Sequence, residues 1–481
     1  MRVDRYLQSR LSFRSTLVSF PQTLRGWASR REVGLLALLL ALALARGVVY
    51  SAVIPPWQVH DEPYHFYSAW IPLLPPAPQQ DEAWRNLQTE IASSMIQLRF
   101  WDYTPFEQSP QNAQEEHARL EAAIRTRRPA EPRAFTYYLL SAALYPAQHQ
   151  DVVLQLYWAR LWSVVVNIGI IFLAVWAGKM LFRDDPFSRW LLPLLIVFHP
   201  QHTFILAGVN DGGIAELFAS AAVLAIIALL LRGWRWTWFG LAVVCTALAA
   251  AAKPPGAYLV PIVALMIAIY AWQKLRGYWR WIGFVVGLAV LVGVVLAVPR
   301  IFIKIRLLET YFNRVGPEEF FVSIITTSAS RGFLWAFRSW WAFLGWESLP
   351  VSDEWMWTLL VLTGASVIGW GIFVWRYIRD RASVPEDRPI WRVFWMFVLM
   401  LVMLGMLVVL QGTVWNEDTF VGRYFFVAML PTVGLIVLGW REIIPHHWRL
   451  EALAAFTVFL FLFDAAVLLA HVVPFFYPLW R

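Results

Sequence analysis

The sequence predicts an all-α polytopic membrane protein of about eleven spans with an elaborated outer face. Three observations predict it. Of 481 residues, 59% are hydrophobic and only 15% are charged, against roughly 25% charged in ordinary soluble domains, and the mean hydropathy is +0.54. Apolar runs near the length of about 20 residues needed to cross a bilayer recur along the whole chain. The net charge of +8 is carried almost wholly by arginine, and the arginines cluster in alternate short connections. This composition excludes a soluble enzyme, a nucleic-acid module or a disordered regulator as a description of the whole chain. The 29 tryptophans suit many membrane–water interfaces. The single cysteine, Cys245, excludes an internal disulfide framework.

Residues 1–32 form a basic segment with Arg2, Arg5, Arg10, Arg14, Arg25, Arg30 and Arg31 against Asp4 and Glu32. By the positive-inside rule this end is cytoplasmic. A transit peptide is the competing description; no small-residue cleavage site follows, and the next apolar run is long enough to span. The first span is 33–54. Residues 55–155 then lie outside, beginning at Pro55-Pro56, with polar helical stretches near 81–98 and 111–127 and a short apolar run, Ala134–Tyr145, suited to the interface. Spans two to seven occupy 156–299, near 156–178, 190–208, 213–231, 236–252, 256–272 and 281–299. A second outer segment, 300–354, ends in FLWAFRSWWAFLGW (333–346), where Arg338 favours an interfacial helix over a crossing one. Spans eight to eleven follow within 355–481, near 355–375, 391–411, 424–440 and 450–472. With alternation, the connections bearing Lys179/Arg183/Arg189, Arg232/Arg235, Lys274/Arg276/Arg280, Arg376/Arg379/Arg381 and Arg441/Arg449 all fall on the cytoplasmic side. The expected location is the inner (plasma) membrane, multi-pass.

Polar residues concentrate at the outer ends. PPWQVHDEPYHFYSAW (55–70) places His60, Asp61, Glu62 and His65 where the chain leaves the lipid. If Pro63 starts a helix, the two acids sit at its N-terminal end, where they serve either as caps or as chemistry-bearing carboxylates. The His/Asp/Glu/His spacing matches no defined zinc signature, so a metal is left unassigned. HPQHTFILAGVNDGG (199–213) contributes Asn210 and Asp211 at a turn opening span four, with His199 and His202 nearby. Asp211 reads as a helix cap that can also face an outer cavity. Lys253, in KPPG between spans five and six, and Arg423, in GRYFF at span ten, are outer-face cations that either snorkel or hold a phosphate. Asn416-Glu417-Asp418 reads as a solvated turn, and Asp464 in the last span is an intramembrane acid without an evident partner. No P-loop, GxSxG, dinucleotide fingerprint or CxxC is present.

Five of these pieces, HDEPYHF (60–66) after Pro56, VND (209–211), AAKPPG (251–256), FRSWWAFLGW (337–346) and VGRYFF (421–426), occur in an order that resembles the GT-C superfamily of integral-membrane glycosyltransferases. That superfamily includes the protein O-mannosyltransferases and lipid A aminoarabinose transferases, and the chain resembles more closely a group of bacterial membrane proteins placed near them. The resemblance implies a GT-C-like bundle with a long first outer loop and an outward-facing site. The donor it implies is a sugar on a polyprenyl phosphate or diphosphate. It further implies an acid base at Asp61 with Glu62 beside it, a second acid at Asp211, and phosphate-binding cations at Lys253 and Arg423. His60, His65 and Asn210 would support them. One departure is His60, where an apolar or proline residue is expected. A further expectation is that no large C-terminal outer domain recognises a peptide. The acceptor (glycan, lipid or protein), any divalent metal and the sugar stay open, and no nucleic-acid partner is expected. The alternative function is a transporter or flippase for a lipid-linked sugar.

Overall fold

The computed structural model describes residues 30–76, 79–105, 135–274, 299–330, 332–379, 387–415 and 421–478, with isolated positions in 112–118 and 277–287. The basic segment up to residue 29, most of the expected helical stretch at 111–127, most of span 281–299 and Asn416-Glu417-Asp418 lie outside the described residues. The chain divides into two compact units, Met1–Leu42 and Ala43–Arg481. Of the first, the described part is the N-terminal half of helix α1 (Arg30–Val53). The rest of this section concerns the second unit.

Helix α1 ends where Pro55 and Pro56 remove two backbone donors. The short helix α2 (Glu62–Trp70) follows, with Pro63 in its first turn as expected. Helix α3 (Gln80–Gln97) is amphipathic, burying Trp84, Leu87, Ile91 and Met95. Helix α4 (Phe135–Leu144) matches the short apolar run, and its Tyr138 and Leu139 stay exposed. Helix α5 (Val152–Leu181) is opened by Asp151, whose carboxylate accepts from the Val153 N–H at 2.8 Å.

The expected span 190–208 is two helices, a correction with a simple cause. Helix α6 (Pro186–Val197) and helix α7 (Pro200–Leu206) are separated at His199, which is extended (φ −82°, ψ 110°). Pro200 disfavours helical geometry at the residue before it. Twelve residues rise only about 18 Å, short of a hydrocarbon core of about 30 Å. Helix α8 (Gly212–Arg232) is long and apolar; α9 (Trp236–Ala252) and α10 (Leu259–Lys274) are shorter apolar helices joined by a turn at Pro254–Tyr258.

The segment after residue 299, expected to lie outside, is largely helical. Helix α11 (Pro299–Ser330) is a helical pair broken at Gly316 (φ 79°), followed by the Trp-rich helix α12 (Gly332–Trp341). A two-residue antiparallel pairing, β1 (Phe343–Leu344) with β2 (Leu349–Pro350), closes this segment in the register Phe343↔Pro350. Helices α13 (Asp353–Arg379), α14 (Asp387–Trp415), α15 (Met429–Ile443) and α16 (Arg449–Ala466) complete the chain, the last running on through one π-helical turn at Val467–Val472. Seven helical stretches among the described residues are long and apolar enough to cross a membrane, fewer than the eleven expected. The chain is a helical membrane protein.

The bundle is packed by small residues and a few buried polar ties. Gly369 of α13 and Gly439 of α15 let two backbones approach so closely that a Cβ on either would strike the other helix's carbonyl. Beside them Ser366 Oγ donates to the Ile436 carbonyl at 2.9 Å. Asp464 has the partner that its sequence context did not reveal. The Arg46 guanidinium forks onto its carboxylate, and Tyr50 OH donates to the same group at 2.8 Å. Arg46 also donates to Thr203 Oγ1 at 3.1 Å, so α1, α7 and α16 share one buried ion pair. An intramembrane charge is tolerated when paired in this way.

Candidate functional site

The site is built on an arginine inside an apolar helix. Arg160 of α5 is fully buried and donates to the carbonyls of Ser51, Ile54 and Pro55 at 2.9, 2.6 and 2.9 Å. These carbonyls lie in the last turn of α1 and just beyond it; that of Ser51 has Pro55 four residues on and so no N–H to receive. The remaining donors of Arg160 fork onto Glu62 at 2.8 and 2.7 Å. Glu62, 0% exposed, also accepts the backbone N–H of Trp57 at 3.0 Å and of Val209 at 3.1 Å. Its four acceptor positions are thereby filled. The sequence expectation grouped Glu62 with the catalytic acids. In the structure it faces inward, and its bonds instead tie the 57–62 loop to the turn that carries Asn210 and Asp211.

That loop is strained and heavily held. Trp57 and Asp61 both adopt positive φ (70° and 60°), a conformation costing about 1–2 kcal/mol for a non-glycine residue. Trp57 Nε1 donates to Ser94 Oγ at 2.9 Å, Gln58 Nε2 to the Phe100 carbonyl at 3.0 Å, and Trp346 Nε1 to the Trp57 carbonyl at 3.0 Å. Strain persists where its surroundings over-determine it. Its result is that Asp61, although placed at the N-cap of α2, makes no side-chain capping bond. Capping therefore does not account for this carboxylate, which is 42% exposed.

Around Asp61 the other expected residues converge. His60 Nε2 lies 3.5 Å from Asp61 Oδ2, and the His60 ring packs on Trp346 at 4.8 Å. Arg423 Nη2 lies 3.7 Å from Asp61 Oδ2, and its Nη1 lies 3.5 Å from Glu347 Oε1. The Glu347 contact is a hydrogen bond at the long limit, and the Asp61 contact is longer than a hydrogen bond, so the guanidinium is held by Glu347 and faces Asp61 as an ion pair. Asp211 is held more firmly. Lys253 Nζ donates to its Oδ1 at 2.7 Å, and His65 Nε2 stands 3.7 Å from the same oxygen. Asp211 makes no side-chain cap either; Asn210 Oδ1 instead accepts the Gly212 N–H. His65 Nδ1 pairs with Tyr137 OH at 3.1 Å, tying α4 to the site. Lys253 and Arg423 lie 5.9 and 5.7 Å from the Tyr424 ring.

Arg423 is positioned by a close backbone approach. The turn Gly422–Ala428 packs on α12, where a Cβ on Gly422 would meet Trp340 N at 2.2 Å and the Ala336 carbonyl at 2.3 Å. The Gly422 N–H donates to Ser339 Oγ at 2.7 Å. The Trp-rich helix thus serves as the seat of the arginine.

Charge states follow from this arrangement. Burial, reinforced by Arg423, pulls His60 down to about 3, so it is neutral at neutral pH. Burial likewise lowers His65, with Asp211 partly opposing it. Burial disfavours ionised Asp61, but His60, Arg423, His65 and Lys253 outweigh it and hold the carboxyl at about 2. With His60 neutral at neutral pH, Arg423 and Lys253 are the cations that keep Asp61 charged. Burial works against the Lys253 ammonium, and Asp211 more than compensates, raising its pKa. Among the described residues no group of three His, Cys, Asp or Glu side chains is arranged to hold a metal ion.

Arg160, Glu347, Tyr137 and the acid Glu216 were not singled out by the sequence patterns. An arginine within VVLQLYWARLWSVVVN and a glutamate within GGIAELFASAAV carry a readable signal, since intramembrane charges are rare. Glu347 and Tyr137 carried none, because their importance is a matter of three-dimensional neighbours alone.

No curated protein matches the chain. The family described as "Predicted membrane protein (DUF2142)" matches residues 44–432, a stretch that contains Asp61, Glu62, His65, Arg160, Asp211, Lys253 and Arg423. That match covers well over half of the 481 residues, and the chain belongs to the DUF2142 family of membrane proteins.

Proposed function

We propose that the protein is an inverting, GT-C-type glycosyltransferase that moves a sugar from a polyprenyl-phosphate or diphosphate carrier to an acceptor at the extracytoplasmic face of the membrane. The observation that carries this reading is the meeting of an accessible, uncapped carboxylate, Asp61, with an arginine fork and a lysine contributed by distant parts of the chain. In the reaction the acceptor oxygen attacks the sugar's anomeric carbon and its proton passes to Asp61. The bond from that carbon to the carrier oxygen breaks, its electron pair leaving with the phosphate. Arg423 and Lys253 stabilise the charge on the departing phosphate. Attack opposite the leaving group inverts the anomeric centre without a covalent enzyme intermediate. Asp211, clamped by Lys253, sets that cation's position and is not the first choice for a proton acceptor. The transporter alternative drew on Asp464, and the pairing of that acid with Arg46 and Tyr50 gives it a structural account. The deciding experiment is a panel of radiolabelled polyprenyl-phosphate sugars supplied to membranes containing the protein, scored for transfer to any extractable acceptor. Movement of label across the bilayer without transfer would favour the transporter.

The proposed orientation puts residues 55–155 outside and the N-terminus in the cytoplasm, in the inner membrane. Cys245 is buried, so background labelling should be low. Thr89 on α3 and His447 between α15 and α16 are exposed. In intact cells Thr89→Cys is expected to react with an impermeant thiol reagent and His447→Cys to stay unlabelled until the membrane is opened. The reverse pattern would overturn the orientation and the outward-facing site with it.

Arg423→Ala is expected to weaken binding of the lipid-linked donor about tenfold or more, a loss of at least about 1.4 kcal/mol. Arg423→Lys should restore only part, because lysine keeps the charge and loses the planar fork. Lys253→Ala should act in the same direction, compounded by release of Asp211 from its 2.7 Å partner. Donor titration of purified protein in nanodiscs measures both, and wild-type affinity in both variants would reduce these cations to interfacial anchors.

A further inference from the structure

A second acid lies deeper along α8. Glu216 is five residues past Asp211, about 7.5 Å by helical rise, and it lines the same cavity as Asn210, Lys253, Arg423 and Tyr424. Its residue is 1% exposed. His202 Nε2 lies 2.8 Å from Glu216 Oε1, and among the described residues no second hydrogen-bond partner reaches this carboxylate. A carboxylate has about four acceptor positions, so most of its capacity faces no protein donor.

His202 is itself fixed. Its backbone N–H donates to His199 Nδ1 at 3.2 Å. The His199 ring stacks on Trp341 at 5.0 Å and meets the edge of Trp340 at 4.5 Å, while Phe426 packs edge-on against both histidines. The aromatic rings therefore fix His199 and, through its bond to the His202 backbone, the start of α7, while Phe426 packs against the His202 imidazole that meets Glu216. Such a buried pair is no better for stability than well-packed apolar residues of the same volume. A stabilising role is thus a weak account of the pair, and the carboxylate's remaining capacity is open to a donor entering the cavity.

We infer that Glu216, held by His202, is a sugar-recognition residue, accepting a hydrogen bond from a hydroxyl of the sugar whose phosphate is gripped by Lys253 and Arg423. The inference rests on the proposed reading of the site as one for a lipid-phosphate-linked sugar. The sugar is joined directly to that phosphate, so it lies beside the two cations, and Glu216 lines the same small cavity, whose free space of about 20 Å³ admits a hydroxyl and not the whole sugar ring. A buried acceptor discriminates strongly, because a ligand lacking the matching hydroxyl leaves it unpaired. Glu216 thereby sets which sugar is used, and Asp61 acts on the acceptor.

The test uses the full chain in lipid nanodiscs, titrated with polyprenyl phosphate and with the same lipid carrying glucose, mannose, galactose or N-acetylglucosamine. Wild type is expected to bind at least one sugar-bearing lipid more tightly than the bare phosphate. Glu216→Gln is expected to bind the bare phosphate within about twofold of wild type and to lose at least about tenfold on the preferred sugar-bearing lipid, in line with a lost charge-assisted hydrogen bond. Glu216→Asp keeps the charge and withdraws it by one methylene, and should lose affinity for the same lipid selectively. Equal losses on both lipids in both variants, or no loss in either, would overturn the role. Wild-type protein that binds neither kind of lipid would instead overturn the reading of the site on which the role rests.

Discussion

Asp61→Asn is expected to lower sugar transfer by about two orders of magnitude or more, the lower end of what a general base contributes, while insertion and donor binding persist. The substitution is unusually clean here. Asp61 sits at φ 60°, and asparagine shares aspartate's tolerance of that conformation. No capping bond is lost, because Asp61 makes none. The two nearest cationic or imidazole groups, His60 at 3.5 Å and Arg423 at 3.7 Å, are held by other neighbours too. Near-normal transfer by purified Asp61→Asn would remove Asp61 from the role of base.

The charge state of Asp61 adds a second, pH-based readout. In the free protein its carboxyl is held at about 2, so it stays ionised throughout the neutral range and is a weak proton acceptor. His60 contributes most to that lowering, and two of the other contributors, Arg423 and Lys253, are those assigned to the phosphate. Donor binding places negative charge against them, reduces their hold on Asp61 and raises its pKa toward a value better suited to accept a proton. A group whose pKa rises on binding loses its charge at a higher pH in the complex. The acid limb of kcat should therefore lie at higher pH than the acid limb of kcat/KM, which reports the free protein. Coincident limbs, or an inverted order, would mean that the cations do not meet the phosphate.

The helical nature of the chain and the helix with Pro63 in its first turn could be read from periodicity and proline position, and the grouping of distant motifs was an expectation from the family resemblance. What could not be read depends on orientation about a backbone. Asp61 and Glu62 are adjacent and chemically alike, and a sequence gives both the same address. The αL turn at Asp61 sends one carboxylate to the open recess and the other into Arg160. The split of 190–208 at His199 was legible in principle from Pro200, but hydropathy averaged over the run hid it. Asp464 looked orphaned because Arg46 lies 418 positions away in the chain. Partners this remote are fixed only by packing.

Glu62→Gln is expected to destabilise the whole site, by about 3–5 kcal/mol, the usual cost of leaving one member of a buried ion pair unmatched. Each Glu62 oxygen accepts one Arg160 N–H and one backbone N–H, from Val209 on Oε1 and from Trp57 on Oε2, so an amide nitrogen in either place opposes donor to donor twice. Arg160 would then sit charged and 0% exposed, still bonded to the end of α1 but without its counter-ion. The consequence should reach beyond Glu62. The loop bearing Asp61 and the turn bearing Asp211 are tied together through its Trp57 and Val209 bonds, so donor binding and transfer should fall together. Thermal inactivation in detergent, followed by size-exclusion chromatography, measures the stability, and donor titration at low temperature measures the geometry. Replacing the pair together, Glu62→Leu with Arg160→Met, should be less harmful than either single change, since no buried charge remains. That coupling would show the two side chains to act as one structural unit. A Glu62→Gln protein that melts like wild type, binds donor normally and fails only in transfer would instead make Glu62 the base, with Asp61 its neighbour in the recess.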